Sequence, residues 1–131
     1  SYSMICARFQ AFPQSGIKGN AVPGVPRHMF FMRAIWHPGD WRLTSELQWS
    51  DSYPADNRNT SYSDAFTEVQ LTLSRQFLFK QGNLRIEPFV QVYNLLDQRY
   101  SSSVVVNAFG GRYYEPSPPR MWRAGVSVQW E

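Results

Sequence analysis

Charged residues of opposite sign recur on the same faces of neighbouring segments, and they are the first candidates for chemistry. Glu46, Glu68 and Glu87 each fall on the polar side of a segment in which polar and apolar residues alternate. The same sides carry three arginines, Arg42, Arg85 and Arg123. A pair of carboxylates could serve acid–base catalysis, but opposite charges on adjacent strands also form cross-strand ion pairs. The pattern favours ion pairs along a wet surface over a catalytic pair.

The two histidines and the hydroxyl residues give no second indication of catalysis. His28 and His37 are nine residues apart, so on one extended strand they point to opposite faces and cannot share a metal ion. No serine lies in a nucleophile elbow, and no glycine-rich loop opens a helix to hold phosphate. The sequence predicts a protein that is not an enzyme and that has no metal site and no cofactor.

Strands must position these side chains, because apolar residues recur with a period of two along six segments. The segments are Tyr2 to Ala11, His28 to Trp36, Trp41 to Trp49, Ala65 to Phe79, Leu84 to the stop at Asn94, and Met121 to Glu131. Each has one apolar and one more polar face. This pattern predicts an all-β fold of antiparallel strands.

Two residues depart from the alternation. Arg75 falls on the apolar side of its segment, close to a strand end where a guanidinium can reach lipid headgroups. Pro88 removes a backbone donor from an interior strand, which predicts a local bulge.

Short turns alternate with long loops along the chain. The turns are His37 to Asp40 and Lys80 to Asn83, and the loops are Pro13 to Arg27, Asp51 to Asp64 and the stretch after Tyr100. Outer-membrane barrels have the same asymmetry, with short periplasmic turns and long outer loops. Tryptophans near the strand ends are predicted to anchor such strands at the lipid headgroups, and these are Trp36, Trp41, Trp49, Trp122 and Trp130.

Composition narrows the class of protein further. The chain has 131 residues, 43% of them hydrophobic and 16% aromatic, but no run approaches the roughly 18 apolar residues of a membrane helix. Its net charge of +3 is scattered without a basic block, which argues against a nucleic-acid surface. Cys6 is the only cysteine. The chain begins at Ser1 without a signal region, so we expect preceding residues to be missing.

Three motifs carry a resemblance to a known family. The segment Asn94-Leu95-Leu96-Asp97-Gln98-Arg99-Tyr100 resembles the Asn-Leu-Phe-Asp-x-x-Tyr signature that closes the second-last barrel strand of TonB-dependent outer-membrane receptors. Residues 107–116 with Arg120 resemble the last outer loop of the siderophore receptors, and residues 19–28 resemble a segment that leads down into a strand. The resemblance implies that residues 1–131 are about six C-terminal strands of a plugged barrel of about 22 strands.

The resemblance also implies a function and partners. It implies ferric siderophore uptake across the bacterial outer membrane, energised by a TonB complex that touches an absent plug domain. The lipid of the outer membrane is another expected partner. The barrel-assembly machinery is a further one, and it would act through the last strand. Arginine and tyrosine in the outer loops are expected to contact an anionic iron chelate. The implied contact residues are Tyr53, Arg58, Tyr62, Phe109, Arg112, Tyr113 and Tyr114. The motif residues are Asn94, Leu95, Asp97, Tyr100 and Arg120.

Two departures from the family pattern and one alternative fold remain. Pro118-Pro119-Arg120 stands where Pro-Gly-Arg is commoner, and the chain ends on Glu131 instead of on the aromatic residue before it.

The alternative is a small self-contained barrel or sandwich that binds a ligand or partner in water. Such a protein would bury in a dry core five apolar residues that a membrane barrel turns outward. These residues are Trp41, Leu43, Leu47, Trp49 and Trp130.

Overall fold

Antiparallel strands form the regular structure in the computed structural model, which describes residues 1–11, 16–79, 84–108 and 114–130. The strands in these ranges are β1 (Tyr2–Met4), β2 (His28–Trp36), β3 (Trp41–Ser50), β4 (Phe66–Arg75), β5 (Phe77–Phe79), β6 (Leu84–Tyr93), β7 (Ser101–Val104), β8 (Tyr114–Pro116) and β9 (Met121–Trp130). None of the described residues belongs to a helix long and apolar enough to span a membrane.

Seven strands form one sheet in the order β1-β2-β3-β4-β6-β5, and β9 pairs with β6. Every pairing in it is antiparallel, which confirms the predicted fold class. Strands β2, β3, β6 and β9 lie where the alternation predicts them. A tight turn joins β2 to β3, where Trp41 N donates to Pro38 O over 3.2 Å. The second predicted turn, Lys80 to Asn83, lies outside the described residues, as does Glu131.

The first predicted strand, Tyr2 to Ala11, is too long. Regular pairing is confined to β1, and the chain beyond it contacts the following loop irregularly. Ile5 N donates to Arg27 O over 2.9 Å, and Val22 N donates to Ala7 O over 3.0 Å. The reason is that the partner here is a segment rich in proline and glycine, which cannot extend as a regular neighbouring strand.

The bulge predicted at Pro88 is wrong, and the strand predicted from Ala65 to Phe79 is divided instead. Ser74 faces Phe89 before the break and Phe77 faces Ile86 after it. Two residues separate these pairs on each strand, so no extra residue is inserted. Pro88 lies within this gap and has no N–H to donate to the ladder, which interrupts the pairing without shifting its register.

The register collects the apolar residues of the long strands on one face, which we call the apolar face. One row across the sheet consists of Trp36, Leu43, Leu73, Val90 and Ala124. Among the described residues, the buried apolar side chains are those of Ile17, Pro23, Pro54, Ala55 and Val92, and all but Val92 lie in loops. The sheet is thus a single layer with both faces open, and most of the dry interior lies in the loops.

The loop after Tyr100 contains a small hairpin that the sequence did not predict. Strands β7 and β8 pair antiparallel, with a register shift between Ser101 and Ser103. Short strands with an irregular register give too few alternating residues to be recognised from a sequence.

Candidate functional site

Asparagine side chains join three loops at one end of the sheet. We call residues 16–27, 51–64 and 105–108 the loop cluster. Asn59 accepts a hydrogen bond from Ala21 N (2.8 Å) and donates through Nδ2 to Ala21 O (3.0 Å). Asn107 accepts one from Asn57 N (3.0 Å), and Asn20 donates through Nδ2 to Asn57 O (3.0 Å). These contacts bridge residues far apart in the sequence, so they fix the loops against one another.

No local pattern in the sequence marks these asparagines as bridges between loops. Asn59 and Asn107 have φ angles of 56° and 55°, in the left-handed region that asparagine tolerates better than most residues. Asparagines within polar loops could have indicated such turns. Their partners could not have been found, because each lies in a different loop.

One predicted ligand residue, Arg58, lies in a turn that a buried carboxylate holds together. Asp56 accepts a hydrogen bond from Thr60 N over 2.9 Å, and its side chain is 7% exposed. Burial alone would raise the pKa of Asp56, but hydrogen bonds from Thr60, Ser61 and Arg58 outweigh it and lower that pKa. Arg58 itself is exposed, so its guanidinium is accessible to a ligand.

Two predicted tyrosines come together across the loops. The Tyr114 hydroxyl donates to the carbonyl oxygen of Tyr62 over 2.7 Å. Both side chains are exposed, whereas Tyr53 is half-buried and its carbonyl accepts from Ser63 N over 2.9 Å. The structure therefore brings together Tyr62 and Tyr114, with Tyr53 and Arg58 in the same loop as Tyr62. The other predicted contact residues, Phe109, Arg112 and Tyr113, lie outside the described residues.

A cavity of about 180 Å³ beside Tyr62 adds two arginines that the sequence analysis missed. Arg8 and Arg27 line it, together with Cys6 and Asp51. Arg8 also donates from Nη1 to Gly19 O over 2.7 Å, which holds its side chain against the loop cluster. Arg8 was placed on a strand and Arg27 at a loop end, so nothing in the alternation linked them to Tyr62.

The family motif forms a turn with Asn94 at its centre. Asn94 is 2% exposed, has a φ of 47°, and donates from Nδ2 to Gln98 O (2.9 Å) and Pro118 O (3.1 Å). Asp97 accepts from Arg120 N over 2.9 Å, so both ends of the long loop are held at this turn. Leu95 continues the link to the sheet, since its N–H donates to Val69 O over 2.9 Å.

Tyr100, the last motif residue, connects the motif to β4. Its ring stacks on Phe66 with centroids 4.1 Å apart, and its hydroxyl donates a hydrogen bond to Glu68. Burial and the hydrogen bond to the Glu68 carboxylate raise the pKa of Tyr100 above its ordinary value. The motif residues thus share a positioning role, because they set where the long loop leaves and re-enters the sheet.

The five predicted tryptophan anchors all lie on the apolar face, at the ends of strands. Trp36, Trp41 and Trp130 are at the end with the short turn, and Trp49 and Trp122 are at the end with the loop cluster. Trp130 and Trp122 are 78% and 69% exposed. Apolar strands bounded by indoles at both ends have the pattern of a surface that faces lipid.

The opposite, polar face carries ion pairs, although only one joins residues predicted to pair. Arg42 Nη1 lies 4.0 Å from Glu87 Oε1, which is such a pair. Glu46 instead pairs with Arg33, whose Nε lies 3.2 Å from Glu46 Oε1.

The remaining predicted charges on that face have neutral partners among the described residues. Glu68 accepts from Tyr100, and Arg85 donates from Nη1 to Gln129 Oε1 over 3.3 Å. Arg123 lies over the Phe89 ring at 5.7 Å. The face is polar as predicted, but the sheet register decides which charges meet.

Two solved structures have a similar fold over nearly the whole chain. No family model matches the chain. The crystal structure of BauA, the ferric preacinetobactin receptor from Acinetobacter baumannii, is similar with a TM-score of 0.79 and 11% identity, over 97% of this chain and 18% of that chain. The ferric citrate transporter FecA, in its unliganded form, is similar with a TM-score of 0.78 and 21% identity, over 98% of this chain and 20% of that chain.

These comparisons concern the fold. The chain spans about a fifth of the length of each of the two proteins. The likeness confirms the antiparallel fold predicted from the resemblance to TonB-dependent receptors, and it covers nearly the whole chain.

Proposed function

We propose that this chain is part of the wall and outer loops of an outer-membrane receptor that takes up a ferric chelate, with energy supplied through TonB. The observation that carries the proposal is the division of the sheet into a continuous apolar face bounded by tryptophans and a polar face with ion pairs. A wall between lipid and a wet lumen needs this division. The protein is a transporter and not an enzyme, and residues 1–131 belong to its barrel domain.

The exposed apolar face argues against the soluble alternative. In a soluble sandwich a second layer of the same chain would cover the apolar face, yet Trp36, Trp122 and Val128 are all more than 60% exposed. Lipid would cover this face in an outer membrane. The fold likeness to two ferric receptors supports the same interpretation.

The loop cluster supplies the groups that suit an anionic chelate. Arg58 is exposed at the tip of its turn, and Arg8 and Arg27 line a cavity with Tyr62. Guanidinium groups bind carboxylate and other oxygen anions through paired hydrogen bonds, while tyrosine adds stacking surface and a hydroxyl. We place the chelate over these loops, together with Tyr53, Tyr114 and the residues Phe109, Arg112 and Tyr113 that the resemblance adds.

Chelate binding by the intact protein in detergent tests this proposal. The probes are ferric citrate and a ferric catecholate, with tryptophan fluorescence as the signal. We expect Arg58→Ala and Arg112→Ala each to weaken binding by about 1 to 3 kcal/mol, the loss of a charge-assisted hydrogen bond. Trp130→Ala, at the other end of the sheet, serves as the control and should bind like the parent. Parent-like affinity in both arginine variants would remove these loops from the site.

A further inference from the structure

Arg75 is a cation that lies on the apolar face of the sheet. It lies opposite Trp41 in the ladder between β3 and β4, within the apolar face, whereas Arg33 and Arg42 lie on the polar face beside glutamates. Among the described residues no carboxylate comes within ion-pair distance of Arg75. Its Nε is buried there and has no hydrogen-bond partner. A guanidinium on an apolar face without a carboxylate partner is costly. Its Nε is buried by the protein, so an acceptor from outside the sheet would meet the terminal nitrogens of the guanidinium.

The surroundings of Arg75 determine what that acceptor can be. The guanidinium carbon lies 5.2 Å from the centroid of the Trp41 ring and 4.9 Å from that of Phe77. These rings hold the cation in place through cation–π contact. A cavity of about 370 Å³ opens beside it, with Leu73, Pro88 and Val90 among its walls. The walls suit an acyl chain, and the guanidinium suits an oxygen anion.

The position along the strand agrees with this chemistry. Arg75 is the last residue of β4 and Trp41 is the first residue of β3, both at the end of the sheet with the short turn. Indole and guanidinium groups prefer the level of the lipid headgroups, and short turns face the periplasm in outer-membrane barrels. A phosphate attached to acyl chains would meet both the cation and the apolar walls at this level.

We infer that Arg75, Trp41 and Phe77 form a binding site for the phosphate group of a membrane phospholipid in the leaflet next to the short turns. The break in the ladder opposite Pro88 lies beside the cavity, so the same gap that divides β4 from β5 accommodates the lipid. The inference rests on the proposed function to the extent that it requires a protein embedded in a membrane. It assigns no role in chelate binding.

Native mass spectrometry of the intact protein, released from detergent with added phosphatidylglycerol, tests the site. We expect Arg75→Gln to weaken lipid retention about tenfold, and Arg75→Lys to weaken it less because the charge remains without the planar fork. Arg123→Gln is the matched control, since Arg123 also lies over an aromatic ring but on the polar face. It should retain lipid like the parent. Equal retention by the parent and Arg75→Gln would overturn the inference.

Two further probes identify the source of the phosphate. Diacylglycerol, which has no phosphate, should bind without any dependence on Arg75, and inorganic phosphate at the same concentration should not displace phosphatidylglycerol. Binding of inorganic phosphate alone with the same dependence on Arg75 would overturn the lipid assignment. If Arg75→Gln fails to fold, as judged by circular dichroism, Arg75→Lys decides: retention equal to that of the parent then overturns the phosphate contact.

The same preparations separate this inference from the proposed function. A membrane-integrated protein that retains lipid through Arg75 but binds neither ferric chelate contradicts the proposed transport alone. A protein that binds a ferric chelate, and whose lipid retention does not change when Arg75 is replaced, contradicts the lipid site alone.

Discussion

Different interactions stabilise the loops at one end of the protein and the sheet from which they extend. In the loops, buried polar groups hold the chain together: Asn94 and Ser63 are each 2% exposed, and Ala55, in the same loop as Ser63, is fully buried. In the sheet, large apolar residues such as Trp130, 78% exposed, project from a single layer. The backbone ladder holds the strands in register, and the apolar face is exposed.

The difference shows where each region obtains its stability. The loops satisfy their buried hydrogen-bonding groups within the chain, which favours one fixed arrangement. Among the described residues no second layer packs on the apolar face, so the contribution of this face to stability depends on the surrounding medium. We therefore expect substitutions in the loop framework to act on the stability of the folded protein in detergent. Under the proposed function, substitutions on the apolar face should act on contacts with lipid.

The largest expected effect is at the centre of the motif turn. Asn94→Ala removes both Nδ2 bonds and the acceptor for Gln98 N (3.1 Å), and it places alanine at a positive φ. We expect a loss of about 3 to 4 kcal/mol in the free energy of unfolding of the intact protein, measured with urea in detergent. Asn94→Gly, which tolerates the φ but lacks the bonds, should lose somewhat less. A loss below about 0.5 kcal/mol in both variants would show that the motif does not organise this end.

The next effect tests close packing within the sheet, on its polar face. A Cβ added to Gly125 would lie 2.7 Å from Cζ of Phe89 on the neighbouring strand. Gly125→Ala should therefore lower the free energy of unfolding by about 2 kcal/mol, because the Phe89 ring must move away from the added methyl group. Adding Phe89→Leu to Gly125→Ala should recover part of this loss. If the double variant instead lost as much stability as the two single variants together, the strain would not arise from the contact between Phe89 and residue 125.

A smaller effect concerns the contact that joins the loops to the sheet. Tyr100→Phe removes the hydrogen bond to Glu68, and we expect a loss of about 1 kcal/mol at pH 8. The pKa of Tyr100 is raised in the folded protein, so above the ordinary value of 10.0 the unfolded chain loses its proton first. The parent should therefore lose stability as the pH rises past 10, and Tyr100→Phe should lack that component. Urea midpoints from pH 8 to pH 11 would show the gap narrowing, whereas a constant gap would contradict the raised pKa.

The smallest effect is the response of the loop cluster to acid. Hydrogen bonds lower the pKa of Asp56 below 3.8 in the folded protein, so its contribution is present above that pH and is lost as the pH falls through the folded pKa. We expect the urea midpoint of the parent to decline slightly more between pH 5 and pH 3 than that of Asp56→Asn. The reverse order would show that burial, not hydrogen bonding, determines the pKa of this carboxyl group.

The sequence by itself determined the strands and their faces. Alternation is local, since successive side chains of a strand point to opposite sides. The pattern therefore placed β2, β3, β6 and β9 and put the five tryptophans on the apolar face, while their role as membrane anchors stays a prediction. The same reasoning marked Arg75 as a residue on the apolar face and Pro88 as a defect in the ladder. The motif at Asn94 indicated the fold class through its resemblance to known receptors.

Tertiary structure alone decided which residues meet. Register paired Glu46 with Arg33, and it turned the defect at Pro88 into a gap instead of a bulge. Contacts between loops brought Arg8 and Arg27 beside Tyr62. The physical reason is that a period of two specifies the face of each strand but not its neighbour, and asparagine bonds between loops join residues up to 50 positions apart, which no local pattern encodes.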